Sequence, residues 1–278
     1  MGTRTDAGGT TADLAGFDLV SVPPLTLTEY RIPAGTFILG SDLMDVANSG
    51  DSPAYSRTMP ALCVAEKEVT AAEYKKCVDA GKCSKPTGTD SRCNYGISGR
   101  ENHPVNCVEQ PQAVAFCDWI GRRLPTESEW EYAANGTTNS TGAKYPWAGS
   151  GGTFDAAKAC FNNNGTCPVG SKVRTFQGGE VAAGSPGFYD FAGNVWEWTT
   201  SELCAYVSAS PDRQCASPAR VTRGGSGFDT DGRILRSTIR LGNAKDAASV
   251  SVTYPNSWFP NLGFRCFGDV AATNTCIK

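Results

Sequence analysis

With 278 residues and a formal net charge of −3, the chain offers no electrostatic case for nucleic acid or an anionic membrane, and no apolar run approaches the roughly 20 residues of a membrane helix. Its 31 glycines, 16 prolines and only 19% charged residues exclude a helical bundle or a disordered protein and describe a loop-rich globular fold, long enough to bury a full core. Twelve cysteines beside a single histidine, with no C-x-x-C spacing, argue for disulfides rather than zinc and so for an oxidising compartment: secreted, periplasmic or cell-surface.

Residues 1–16 are small and polar and lack the apolar stretch of a signal peptide; they read as a flexible tail, processed or appended. Residues 17–278 are expected to form one domain. Tyr30 to Gly40, Y-R-I-P-A-G-T-F-I-L-G, alternates apolar residues around a Pro-Ala-Gly turn and predicts two short strands, with a polar loop from Asp42 to Pro60 after them. In Val69 to Ala80, Thr70 stands three residues before Glu73, a capping box that opens an amphipathic helix. From Asn102 to Gly121 a second helix is expected, with Pro111 in its first turn and Gly121 ending it after Trp119. Arg122 to Ala134, R-R-L-P-T-E-S-E-W-E-Y-A-A, places Glu127 and Glu129 in the first turn of a third, where negative charge is favoured.

Gly187 to Thr200 reads G-F-Y-D-F-A-G-N-V-W-E-W-T-T. On a strand, Asn194, Trp196 and Trp198 face one way and Val195, Glu197 and Thr199 the other. The two indoles form a large apolar patch whose N–H groups need acceptors. For the carboxylates two readings stand side by side. Asp190 and Glu197 bracket a turn that can aim backbone carbonyls inward, a set of oxygen ligands suited to Ca²⁺. Alternatively, Glu197 is buried against an arginine.

R-R-L-P-T-E-S-E-W-E-Y-A-A, Y-P-W (145–147), G-F-Y-D-F-A-G-N-V-W-E-W, R-V-T-R-G-G-S (220–226) and N-L-G-F-R-C (261–266) occur in an order that resembles the formylglycine-generating enzyme, or sulfatase-modifying factor, family. The resemblance covers residues 30–268 and implies an α+β fold of the elaborated C-type-lectin-like kind. It implies Ca²⁺ as cofactor, with Asp190 and Glu197 as side-chain ligands and Gly193 and Val195 as carbonyl ligands. A second family calcium site has its nearest counterpart at Phe161 to Asn164, but Lys172 to Gly179 is too short to complete it. The resemblance also implies a Cys117–Cys266 disulfide. Proximity then suggests Cys77–Cys83, Cys93–Cys107, Cys160–Cys167 and Cys204–Cys215, which leaves Cys63–Cys276. A second family disulfide would join positions that here hold Ala134 and Ser237.

In the family's enzymes, the stretch after the Gly-Gly-Ser carries two cysteines that bind copper and oxidise a substrate cysteine. Ser226 to Arg236, S-G-F-D-T-D-G-R-I-L-R, has none, and oxygen side chains do not replace a soft thiolate pair at Cu(I). The expectation is a non-catalytic, calcium-stabilised module that presents loops to a protein or glycan. The alternative is a diverged copper-dependent oxidoreductase whose thiols, Cys204 and Cys215, reach the cleft from another loop. A histidine-rich iron site of the sister branch has too few histidines, and His103, before Pro104, reads as structural. No nucleotide or hydrolase motif is present.

A recognition surface is expected at Phe228, Asp229, Asp231 and Arg233 together with Tyr254, Asn256, Trp258 and Phe259, because exposed aromatics in a polar loop anchor partners. The competing reading has these rings plugging the core. By position the segment resembles the diversified region of retroelement-encoded variable proteins, without their Asn/Tyr-rich bias. The E-P-N and Q-P-D triplets of sugar-binding C-type lectins are absent.

Overall fold

Three helices begin where side chains satisfy the orphan amides of a first turn. In α1 (Ala71–Asp79), Thr70 Oγ1 accepts from the Glu73 amide at 3.1 Å, while the Glu73 carboxylate accepts from the Thr70 amide at 2.8 Å. In α3 (Glu127–Asn135) the same reciprocal bonds join Thr126 and Glu129. In α2 (Gln110–Trp119) Glu109 and Gln112 take these roles, with Pro111 in the first turn. The computed structural model describes residues 25–42, 51–136, 145–147, 153–176, 179–180, 185–205, 218–241 and 254–276.

The Pro-Ala-Gly turn separates β1 (Glu29–Ile32) from β2 (Gly35–Leu39). β2 pairs antiparallel with β3 (Tyr55–Met59), a strand inside the stretch expected to be loop. Tyr-Ser-Arg-Thr-Met alternates well enough to pair: Phe37, Leu39 and Met59 point inward, and the Thr36 and Thr58 hydroxyls meet at 2.9 Å on the outer face. β1 lies beside β4 (Leu62–Ala65), which also pairs with β11 (Phe267–Asp269). Thr175–Phe176 (β5) and Gly179–Glu180 (β6) form a short ribbon.

The last sheet, in the order β10 (Leu262–Gly263), β7 (Trp196–Glu202), β8 (Arg220–Arg223), β9 (Arg240–Leu241), carries the Gly187–Thr200 segment. β7 has no solvent face over its first half: residues 195–199 are all buried. Trp196 and Trp198 enter one core with Tyr74, Phe116 and Phe264, whereas Trp130, Phe188 and Phe191 belong to a second core with Phe37 and Tyr132.

Buried ion pairs weld α3 to the sheet. Glu127 takes a fork from Arg240 at 2.6 and 2.7 Å, and Glu131 pairs with Arg223 while accepting from the Gly40 amide at 2.8 Å. Five disulfides join Cys63 to Cys276, Cys77 to Cys83, Cys93 to Cys107, Cys117 to Cys266 and Cys160 to Cys167. Cys204 is also disulfide-bonded; Cys215 lies outside the described residues. Bridges in this number belong to an oxidising compartment. Among the described residues, no helix is long and apolar enough to cross a membrane.

Candidate functional site

The turn before β7 is built from left-handed residues: φ is 60° at Asp190, 86° at Gly193 and 63° at Asn194. A side chain at Gly193 would collide with the Cys160 carbonyl, so only glycine allows this approach. Asn194 is the hub. Its amide donates to Cys160 O at 2.9 Å, its carbonyl accepts from Gly227 at 2.9 Å, and its Oδ1 accepts from the Cys167 amide at 2.9 Å. Its Nδ2 donates to Glu68 at 2.5 Å, and the Val195 amide adds a 3.2 Å bond to the same carboxylate.

Three buried carboxylates and one guanidinium therefore sit around this turn. Arg265 donates to both oxygens of Glu197 at 2.8 Å from Nε and to Oε1 at 2.6 Å from Nη2. The Trp130 indole N–H donates to Oε2 at 2.7 Å. Asp190 Oδ2 accepts from the Gly170 amide at 2.7 Å. Burial pushes Asp190 up to about 6 against the help of the Gly170 bond. Burial, with the like charges of Asp190 and Glu197, pushes Glu68 well above the usual carboxylate range.

With every group ionised, three carboxylates less one guanidinium leave a charge of −2. The residues thus fit a divalent cation in charge and in donor type. Among the described residues, no three His, Cys, Asp or Glu side chains are arranged to hold a metal by themselves, so carbonyls, as expected of Gly193 and Val195, would have to complete the shell. Glu197 would share its carboxylate between such an ion and Arg265. Of the two sequence readings of Glu197, the one in which it is buried against an arginine is the one the structure shows.

On the other face of β7, the Trp196 indole N–H donates to Asp229 Oδ2 at 3.1 Å, and the Ser226 amide and hydroxyl donate to the same oxygen at 2.8 Å. Asp229 was expected on the recognition surface. Instead it fastens the Gly-Gly-Ser loop onto the strand, because the indole and the serine need an acceptor, and burial raises its carboxyl above the ordinary range. The Cys160–Cys167 loop closes over this segment, with the Asn162 amide on Asp229 O at 3.1 Å and the Asn163 amide on Gly227 O at 2.7 Å. Asp231 caps the short 3-10 turn Gly232–Leu235 and holds Arg233 at 2.6 Å.

The remaining surface candidates divide. Tyr254 is 49% exposed and Asn256 is exposed, whereas Phe228, Trp258 and Phe259 are half-buried. Phe259 packs against the first core, the plugging role that its sequence left open. Trp258 lies against Gly88, where an added Cβ would stand 2.7 Å from the ring. Phe228 is covered by Arg92, whose guanidinium carbon is 5.5 Å from the ring centre. Arg92 O and Pro260 O both accept from Asn106 Nδ2, at 3.0 and 2.5 Å. The two candidate segments therefore meet through Arg92 and Asn106. Sequence reasoning missed both residues, and Glu68 and Arg265 as well. The one local signal was Asp90-Ser91-Arg92, the same D-x-R spacing as Asp231-Gly232-Arg233.

Residues 22–270 match the model of the sulfatase-modifying factor enzyme 1-like domain family. The formylglycine-generating enzyme of Mus musculus is 29% identical over 301 residues, which covers 88% of this chain and 76% of that protein. The inactive C-alpha-formylglycine-generating enzyme 2 of Bos taurus is 38% identical over 192 residues, covering 66% of this chain and 54% of its own length. The chain thus spans about half of that relative. The solved structure of PvdO from Pseudomonas aeruginosa superposes with a TM-score of 0.65 at 20% identity, over 86% of this chain and 93% of that one. The architecture is thus the elaborated C-type-lectin-like α+β fold that the ordered sequence blocks imply.

Proposed function

The chain belongs to the sulfatase-modifying factor enzyme 1-like domain family, and from that premise we propose that it is a non-catalytic, calcium-stabilised binding module, secreted, periplasmic or on a cell surface, that presents loops to a protein or glycan. One observation carries this reading. No cysteine lies between Cys215 and Cys266, and the stretch after Gly-Gly-Ser commits its best-placed side chain, Asp229, to Ser226 and Trp196. A carboxylate held by three donors is a fastener and gives copper no soft ligand. The family holds a relative named inactive beside those named as enzymes, so loss of the reaction on this fold has a parallel. Ca²⁺, held by Asp190, Glu197 and the carbonyls of Gly193 and Val195, would supply the positive charge that the buried carboxylates lack, as a structural ion.

The test is a thiol count. The unfolded, unreduced protein is alkylated and its added mass read. No label is the expected result, together with no copper binding and no oxidation of a peptide cysteine. Two labels on Cys204 and Cys215, with copper bound, would replace this reading by the copper-dependent oxidoreductase.

A further inference from the structure

We propose that the cavity between α1 and the loop 94–101 binds a small amphiphilic cation, an ammonium group carried on an apolar body. A free arylalkylamine has this chemistry, and so has the amino-terminus of a peptide that begins with an apolar residue. The site lies apart from the loop surface above and does not rest on it. The cavity holds about 240 Å³, the space of roughly eight water molecules at ~30 Å³ each. Ala71 and Ala72 of the helix and Ile97 of the loop give it apolar walls, and Lys75 and Glu101 are the charged groups of its lining. Ile97 is 47% exposed; among the described residues only Tyr254 is another large hydrophobic left so open.

The loop holds Ile97 in place. The Ile97 amide donates to Asn94 O at 3.2 Å, the Arg100 amide to Ile97 O at 3.1 Å, and the Ala72 amide ties Glu101 O to the helix at 3.0 Å. At the root of the loop the Cys93–Cys107 bridge stands beside Asn94, which is 1% exposed, donates from its amide to Asn106 Oδ1 at 2.7 Å and from Nδ2 to Pro104 O at 2.8 Å. A wall ordered in advance leaves little entropy to lose when a ligand covers it.

Charge decides the sign of the ligand. Lys75 Nζ is closed onto both oxygens of Asp79, at 2.8 and 2.6 Å. The first-turn amides of α1 are spent as well: Ala71 on His103 O, Ala72 on Glu101 O and Glu73 on Thr70 Oγ1, so the helix start has no such donors left for an anion. Arg100 turns onto Ser91 O and Asn94 Oδ1, at 3.4 Å each, and is not part of the lining. Glu101 is exposed and pairs with no cation among the described residues. The cavity thus offers one unopposed carboxylate at the edge of apolar walls, and its complement is an ammonium whose hydrocarbon body lies against Ile97 and the alanines. An anion with the same body would be repelled by Glu101, and a cation without a body would gain nothing from Ile97.

The whole ¹⁵N-labelled protein is titrated by NMR with phenethylamine, with its anionic counterpart 3-phenylpropionate, with methylamine, and with Phe-Gly-Gly-amide and its N-acetylated form. The expected result is saturable shifts of the Gly96, Ile97 and Ser98 amides with phenethylamine, weakened by NaCl, and none with 3-phenylpropionate or methylamine. Glu101→Gln and Ile97→Ser would each weaken binding about three- to five-fold, the scale of one exposed ion pair, at unchanged melting temperature because both side chains stand in solvent. Binding of Phe-Gly-Gly-amide but not of its acetylated form would support the site and name a chain terminus as the source; binding of phenethylamine alone would support it and name a free amine. No binding of either amine, equal binding of 3-phenylpropionate, or wild-type affinity in both variants would each overturn the proposal.

Discussion

Arg265 forks onto Glu197 at 2.6 and 2.8 Å while the Trp130 indole closes the second carboxylate oxygen at 2.7 Å, with both charged side chains essentially excluded from water. Removing the cation alone leaves a buried, unpaired carboxylate. Arg265→Met is therefore expected to cost about 3–5 kcal/mol. Adding Glu197→Gln to it should recover part of that loss, because the uncompensated charge goes with it. Urea unfolding of the single and double variants checks this; additive costs would show that the pair is not coupled.

Calcium should raise the melting temperature. At a hundred-fold excess over Kd the linkage is worth about 2.7 kcal/mol, or roughly 5–10 °C for a chain of this size. Asp190→Asn keeps an acceptor for the Gly170 amide but removes a charge, so it should abolish the calcium-dependent shift while melting in EGTA near the wild-type temperature. A shift of equal size in the variant would move the ion away from Asp190.

Asp229→Ala strips the acceptor from the Trp196 indole and from Ser226. The expected cost is about 1–3 kcal/mol for buried donors left unsatisfied. Asp229→Asn, which retains an acceptor oxygen, should cost less. Urea midpoints rank the two, and equal midpoints would mean that the bonds hold nothing.

His103 is the single histidine, so its ring gives one clean titration by NMR. Burial and then the nearby Arg100 hold its pKa below the usual imidazole value. As pH falls, the unfolded chain takes up that proton first. The neutral ring thus stabilises the fold above about pH 6.5, and this contribution is lost as pH drops through the lower folded-state value. A midpoint at or above 6.5 would contradict the burial.

The helices were legible in the sequence because their determinants are local: Thr70 with Glu73, and Pro111 in a first turn, sit within one turn of what they cap. So was the alternation that sends Trp196 and Trp198 to one side. β3 was missed because Tyr55 to Met59 gains strand character only when β2 lies beside it. Glu197 could not disclose its arginine, 68 residues away, nor Asn194 its contact with Glu68, 126 residues back. On the loop surface, Asp229, Phe259 and Tyr254 look alike in sequence. Which of them turns inward depends on the side of the loop that meets Trp196 or the core, and that is settled only by packing.

The Cys63–Cys276 bridge spans 213 residues, and Cys117–Cys266, spanning 149, is nested inside it. Any single peptide bond cut between residues 117 and 266 would leave the two fragments joined by both cross-links. In surroundings rich in proteases, the molecule can thus be nicked in an outer loop and still travel as one covalent particle, and only a reductant would reveal the damage.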